Sequence, residues 1–489
     1  MTSFDPAGFT AIVALVGLVI LVASLASGLI ERLGIPAVAV FLALGTLLGP
    51  SGLGLLDFGL ESPALGAIAT LSLVLVLFTD AVSVNLTQVR AHFRIAAIVL
   101  GPGTLLTAAI TAVAAWNLLG LEPAAAAILG AALSSTDPVM MRGLLRLPEV
   151  PAAARFALRI ESGLNDVVTL PIVLVGIALL ASPGTPAMGQ SAKVLSSVFL
   201  LGPLAGVAIS YAAVRAMVVA RGWMGMRRDY ESLYVLGIAF TAYAAAEAMH
   251  ASGFMAAFAA GLTISMTDVE LCDCFHDYGE ATAEMLLLLS FIAFGASLVW
   301  TGLDVLDRPT LLFAGVALFC RPLVLMLFLP RRGLDPVARR LIVWFGPRAL
   351  SSFLLVLLPV FAGIPGSSRL FPVTALVVLL SVVGHGALLA WATHGLARRD
   401  EPAGPATLDR AGPPRADLVH HPELITFEEL DALRAASLPV VLLDVRTARG
   451  YDASPLTAAG AVRLRPDRAV ESAAALALPR EAWLVAYCA

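Results

Sequence analysis

Apolar runs long enough to cross a membrane follow one another through most of this chain, and that repetition leaves few folds open. A spanning helix needs about 20 mostly apolar residues. In lipid the backbone must satisfy its own hydrogen bonds, which a helix does within one segment. About thirteen runs qualify: 8–31, 35–56, 63–82, 93–119, 122–146, 153–181, 194–219, 230–249, 252–267, 279–300, 309–330, 338–361 and 371–396. Of the 489 residues 59% are hydrophobic and 13% charged. That balance suits many buried spans and excludes a soluble globule with one apolar tail. The first run is too long for a signal peptide and lacks a basic leader, so it reads as a retained span. The expected fold class is an all-α polytopic membrane protein.

Arginine placement sets the expected orientation. One set of alternate loops carries Arg32, Arg90, Arg94, Arg142, Arg146, Arg155, Arg221, Arg227 and Arg228, then Arg331, Arg332, Arg339, Arg340, Arg398 and Arg399. The other set carries Lys193, Arg308 and Arg369, with acids such as Asp57, Glu61, Glu122 and Asp304. The basic set belongs inside, which puts the N-terminus outside and the C-terminus in the cytoplasm. An acidic stretch, Asp268 to Asp277, reads as a cytoplasmic loop. The net charge of −4 carries no signal for nucleic acid, and no nucleic-acid partner is expected. The four cysteines form no disulfide framework. Cys272-Asp273-Cys274-Phe275-His276-Asp277 is one compact cluster, where a zinc site uses separated ligand pairs, so no resident metal is expected.

Within the sixth run lies Arg159-Ile160-Glu161-Ser162-Gly163-Leu164-Asn165-Asp166-Val167-Val168-Thr169. Ionised groups at mid-membrane depth are costly and mark function by default. With Glu161 at 0°, Asn165 falls at about 40°, Thr169 at about 80°, Ser162 at about 100° and Asp166 at about 140°. Leu164, Val167 and Val168 lie outside that arc. One face of this helix is therefore polar and faces a wet cavity or protein, where it either binds a ligand or forms a packing network.

Two other runs carry breaks. Ser134-Ser135-Thr136-Asp137-Pro138 places a proline at mid-run; it lacks an N–H, clashes with the Ser134 carbonyl and pushes Asp137 out of the α region. Phe345-Gly346-Pro347-Arg348, followed by Ser351 and Ser352, is a second interruption beside a cation. Irregular backbone at that depth is tolerated only inside protein or around a cavity. A pair of interrupted helices is the pattern by which inverted-repeat transporters build ion sites. Arg348 needs an anionic partner, for which Glu161 is preferred; the other reading has it snorkelling to an interface. Asp80, in Phe78-Thr79-Asp80, is either a cavity carboxylate or the start of a loop. Glu247 reads as funnel-lining or structural, Arg321-Pro322 as a cap or kink, and His385 as a satisfied core histidine.

Beyond Leu396 the composition changes. Arg398 to Pro414 is charged and rich in Pro and Gly, as a linker is, and 398–421 is taken as that linker. From Pro422 the chain reads as soluble α/β. A short helix is predicted over Ile425–Ala436, beginning after Thr426, with strands at Val440–Val445 and Trp483–Tyr487. Cys488 follows the second strand, where a cysteine can be a low-pKa nucleophile. No anion-binding loop follows it in this sequence.

Together these motifs resemble the sodium/proton exchanger branch of the monovalent cation:proton antiporters, over roughly Gly8 to Leu396. The most specific parts are Thr136-Asp137-Pro138, Glu161-Ser162-x-x-Asn165-Asp166 and the Gly/Arg element ending in Arg348. Ser252-Gly253-Phe254 with Phe258 and Gly261 is similar to the family's eighth-to-ninth helix region. The resemblance implies thirteen helices in an inverted repeat, a homodimer and an elevator-like movement. It implies that Asp166 is the shared carboxylate for proton and cation, that Ser162 helps ligate the ion, that Thr136 and Asp137 shape the unwound crossing, and that Glu161 pairs with Arg348. Asn165 and Asp80 complete the candidate set. Two departures bear on ion selectivity: Thr79 then Asp80 where many members have Glu, and Phe345-Gly346-Pro347-Arg348 for the usual Gly-Gly-Leu-Arg. The tail resembles the front of a rhodanese-like domain through Asp444-Val445-Arg446, Gly460-Ala461 and Tyr487-Cys488, with the family's His-Ile-Pro-Gly-Ala degraded to Leu456-Thr457-Ala458-Ala459-Gly460-Ala461.

The chemistry expected is competition: a cation that binds Asp166 must displace its proton. Asn165 is neutral, so one group changes charge per cycle, and exchange of Na⁺ or K⁺ for H⁺ is electroneutral. Expected partners are these ions, the bilayer and a second copy, in a bacterial inner membrane, with no cofactor. A channel, or a sulfur-linked enzyme or sensor on a membrane anchor, are the readings from other classes.

Overall fold

The computed structural model describes residues 37–84, 89–90, 92–146, 150–181, 195–224, 228–267, 269–330, 334–397, 427–436, 438–446, 456–465 and 482–487, with isolated positions 17, 21–22, 25, 451, 472–473 and 476. Apart from those isolated positions, the first predicted run lies outside the described residues, as does the whole linker. The chain divides into two compact units, Met1–Glu401 and Pro402–Ala489.

The first unit is helical. Its elements are α1 (Ala37–Leu48), α2 (Pro63–Val82), α3 (Phe93–Leu119), α4 (Pro123–Ser134), α5 (Pro138–Arg146), α6 (Ala152–Ala181), α7 (Gly202–Met224), α8 (Arg228–Ala248) and α9 (Gly253–Thr267). They continue with α10 (Val269–Ala293), α11 (Arg308–Phe328), α12 (Pro336–Trp344), α13 (Leu350–Phe361) and α14 (Leu370–Ala397). Among the described residues, eight helical stretches are long and apolar enough to cross a membrane. The chain is therefore a helical polytopic membrane protein.

The local chemistry explains the boundaries. Pro63, Pro123 and Pro336 open helices at the first turn, where a missing N–H costs nothing. Asp307 and Asp335 cap α11 and α12 by accepting from Thr310 N–H (2.8 Å) and Val337 N–H (3.2 Å). Glu247 accepts the Gly253 N–H at 2.9 Å and so caps α9, which gives this acid a structural role. The Asp268–Asp277 stretch is not the predicted loop, because the helix runs from Val269. No Gly or Pro interrupts it before Gly279, so nothing stops a polar helix from extending the apolar one.

Helices α3, α4, α6, α11 and α13 pack together, and α2 packs on α6, α9 and α10. Every residue from Leu350 to Pro359 of α13 is buried. Its Phe353 stacks on Phe371 at 5.1 Å and meets Phe294 at 4.9 Å. Small residues bring backbones together: a Cβ on Gly45 would lie 2.3 Å from the Ile292 carbonyl, and one on Gly295 would lie 2.3 Å from that of Leu42.

The second unit holds α15 (Phe427–Ala435) and a parallel three-stranded sheet, β1 (Val440–Asp444), β2 (Val462–Arg463) and β3 (Trp483–Tyr487), in the order β2-β1-β3. Helix and both predicted strands fall where the sequence placed them. Asp444 ties the strand ends together. Its carboxylate accepts from Arg446 Nε at 2.9 Å and from the Tyr487 hydroxyl at 3.1 Å, and its carbonyl accepts from Arg463 at 3.2 Å. The Arg446 donors, chiefly, hold this carboxylate at about 2, below its ordinary 3.8. Cys488 lies outside the described residues.

Candidate functional site

Two helices stop and restart at the centre of the first unit. The first ends at Ser134 and resumes at Pro138; the second ends at Trp344 and resumes at Leu350. The gaps meet: Asp137 N–H donates to the Pro347 carbonyl at 3.0 Å. Four helix ends are thus buried in one place, two offering carbonyls and two offering N–H groups, and buried ends demand partners.

Each pair of ends is met by opposite charge, as the helix dipole requires. Asp137 serves both restarting helices. One carboxylate oxygen accepts Val139 N–H at the start of α5 and the other accepts Leu350 N–H at the start of α13, each at 2.7 Å. The carbonyl ends take an arginine apiece. Arg348 donates to the Ser134 and Ser135 carbonyls at 2.6 and 3.0 Å. Arg321, from α11, donates to the Ile342 and Val343 carbonyls at the end of α12, each at 3.0 Å.

This arrangement corrects the expected Glu161–Arg348 pair. Glu161 binds Arg321 instead, Nε to Oε1 and Nη2 to Oε2, both at 2.5 Å. Arg321 reaches the carboxylate with a two-pronged face and still holds two carbonyls, whereas Arg348 directs Nη1 to Ser134 and Ser135. Arg348 is 1% exposed, which excludes an interfacial position. Gly346 makes the room: a Cβ there would lie 2.6 Å from the Arg321 guanidinium. An arginine in mid-helix with no acid nearby in sequence was the signal for Arg321, since a buried cation in a membrane needs a partner.

The polar face of α6 meets the first break. Ser135 donates to Asp166 Oδ1 at 2.5 Å. Asn165 donates to the Thr136 hydroxyl at 2.9 Å and to its carbonyl at 3.1 Å. Ser351, at the start of α13, stands beside the Asp166 carboxylate. Asp166, Asn165, Thr136 and Asp137 are each 1% exposed or less. Ser135 and Ser351 were quoted in the sequence motifs without a role, and both lie against the acid. Ser162 is buried, but its hydroxyl turns back to the Arg159 carbonyl at 3.3 Å. Asp80 is half-buried on α2, facing α6 where its Cγ would lie 3.9 Å from a Cβ on Gly163. Behind the second break, Ser381 accepts the Arg348 N–H at 2.7 Å and lies 3.0 Å from His385 Nδ1, so this histidine is partnered as expected.

The site is one buried acid framed by backbone that two fixed charges and one fixed acid hold open. Residues 17–395 match the model of the sodium/hydrogen exchanger transmembrane family. The chain is 28% identical over 388 residues to the K(+)/H(+) antiporter NhaP of Alkalimonas amylolytica, covering 78% of this chain and 66% of that one. It is 28% identical over 397 residues to the K(+)/H(+) antiporter NhaP2 of Shewanella oneidensis, covering 80% and 68%. The chain thus spans about two thirds of the length of these curated relatives. The solved structure of the sodium proton antiporter MjNhaP1 from Methanocaldococcus jannaschii at pH 8 is similar in fold, with a TM-score of 0.62 at 18% identity, over 78% of this chain and 99% of that one.

Proposed function

The chain belongs to the sodium/hydrogen exchanger family, and on that premise we propose that it exchanges a monovalent cation, Na⁺ or K⁺, for H⁺ by competition at Asp166. One observation carries this reading: Asp166 is a buried acid at the meeting of two broken helices, with Oδ1 held by Ser135, Ser351 standing beside the carboxylate, and Oδ2 making no close hydrogen bond. A proton or a metal ion can occupy that second oxygen, and each excludes the other. Exchange then needs no separate gate for each ion.

Asp137 commits both oxygens to backbone N–H groups, and Glu161 is locked to Arg321. We assign neither a part in the proton count. With Asn165 neutral, one charge is exchanged for one charge, and transport is electroneutral. Thr136 and Asn165 shape the first break, Ser162 lies within reach of the ion's path, and Asp80 serves as a carboxylate on the route to it. The similarity to K(+)/H(+) antiporters supports K⁺ as a substrate, beside Na⁺. The fuller architecture goes with this proposal: thirteen helices in an inverted repeat over residues 1–397, a homodimer, a bacterial inner-membrane location and a cytoplasmic C-terminus. The parallel sheet and the Asp444 hub support a partial rhodanese-like segment over 422–489, for which we propose a regulatory rather than a sulfurtransferase role.

Protein reconstituted in vesicles should dissipate a preset pH gradient when K⁺ or Na⁺ is added, and Asp166→Asn should not. Full exchange by Asp166→Asn would end the proposal.

A further inference from the structure

Among the described residues, six buried side-chain atoms have no hydrogen-bond partner, and four of them are oxygens on α6 and the first turn of α13, two helices that pack together: Asn165 Oδ1, Asp166 Oδ2, Thr169 Oγ1 and Ser352 Oγ. An unmet buried polar atom is costly, so four together need an explanation. Thr169 and Ser352 are 0% exposed. The helix explains why the first three share a place. Thr169 stands four residues from Asn165 and three from Asp166, the two spacings that stack side chains on one face. Ser352 comes from the first turn of α13, next to Ser351, which stands beside Asp166.

The two hydroxyls also behave unlike others in this chain. Thr79, Thr263 and Thr374 each donate to the carbonyl four residues back, at 2.5, 2.7 and 2.9 Å. That is the usual refuge of a helical hydroxyl. Thr169 sits in an unbroken helix and does not use it. Ser352 lies just past the break, where no helical carbonyl stands beneath it. Alkali cations take oxygen ligands that replace their hydration shell, and a carboxylate, an amide oxygen and two hydroxyls form such a set. We propose that Thr169 and Ser352 complete, with Asp166 and Asn165, the oxygen shell that holds the transported cation once it has shed water. The proposal rests on the antiport reading for its ion and adds two ligands to it, one from each of the packed helices α6 and α13.

The test compares wild type, Thr169→Val, Ser352→Ala and the hydroxyl-keeping Thr169→Ser, with Thr374→Val as a control. Two readouts are taken: cation dependence of exchange in vesicles, and the NaCl or KCl concentration that half-stabilises the purified protein against heat, with choline chloride as reference. Loss of one ligand should raise the half-effective concentration about tenfold in both readouts, and Thr169→Ser and Thr374→Val should leave it within about twofold. The order of preference among Li⁺, Na⁺ and K⁺ should change in Thr169→Val and Ser352→Ala. Unchanged values in both variants, with a responsive wild type, would overturn the shell. A wild type that cations stabilise but that exchanges nothing would sink antiport, and the stability readout would still decide the shell. A wild type indifferent to every cation would overturn both.

Discussion

Replacing Arg321 by Met removes the ion-pair partner of a glutamate that is 2% exposed. Stranding a buried charge costs about 3–5 kcal/mol. The Ile342 and Val343 carbonyls lose their donors as well, at about 0.5–1 kcal/mol each. Arg321→Met should therefore destabilise the protein by about 4–7 kcal/mol in all. Glu161→Gln should cost less, about 2–3 kcal/mol, because Arg321 keeps two carbonyls at a helix C-terminus. A double-mutant cycle separates the pairings. Glu161→Gln with Arg321→Met should show a coupling of about 2–3 kcal/mol. Arg348 feels the Glu161 charge only at longer range, so its cycle with Glu161→Gln should stay below about 1 kcal/mol. Reversible unfolding in mixed micelles, read by loss of helical signal, measures all four corners. A strong Arg348 cycle beside an additive Arg321 cycle would refute the assignment.

Gly346→Ala should displace the same pair without touching a charge. Its Cβ would lie 2.6 Å from a guanidinium held by four hydrogen bonds, and such overpacking costs about 1–3 kcal/mol, measurable by the same unfolding. Asp137→Asn keeps one acceptor oxygen for two helix starts and should lose about 1 kcal/mol, while Asp137→Ala loses both caps and about twice that; equal losses would mean that only one cap matters. In the second unit, the Asp444 carboxylate is held at about 2 against an ordinary 3.8. A depressed folded value gives stability that is complete above the ordinary value and is lost as acid approaches the folded one. Pepsin cleavage within 427–487 of the full chain should therefore rise as pH falls from about 4 toward 2, and Asp444→Asn should be cleaved readily at about pH 4 already. Matching profiles for wild type and variant would remove Asp444 from the account.

Much of the fold was legible because lipid-spanning helices announce themselves by length alone. The breaks were legible too, since Pro138 and Gly346-Pro347 disfavour a continuous helix and stand within polar motifs, and the polar arc of α6 follows from its period. Partner choice was not. Glu161, Arg321 and Arg348 come from three separate helices, and nothing along the chain tells which cation reaches the acid. The structure decides it by geometry: Arg348 is drawn to the carbonyls of Ser134 and Ser135, and Gly346 leaves room for the Arg321 guanidinium. The helical start of α10 was hidden for the opposite reason. Charge in Asp268–Asp277 signals exposure to water, and exposure does not distinguish a loop from a helix that outgrows the bilayer.

One acid sits astride both discontinuities. Each gap has its own arginine, but Asp137 is a single rivet through two plates. Neither restarting helix can slide away from the other without leaving a buried backbone amide unpaired. The two restarting helices are therefore pinned to each other at one shared carboxylate.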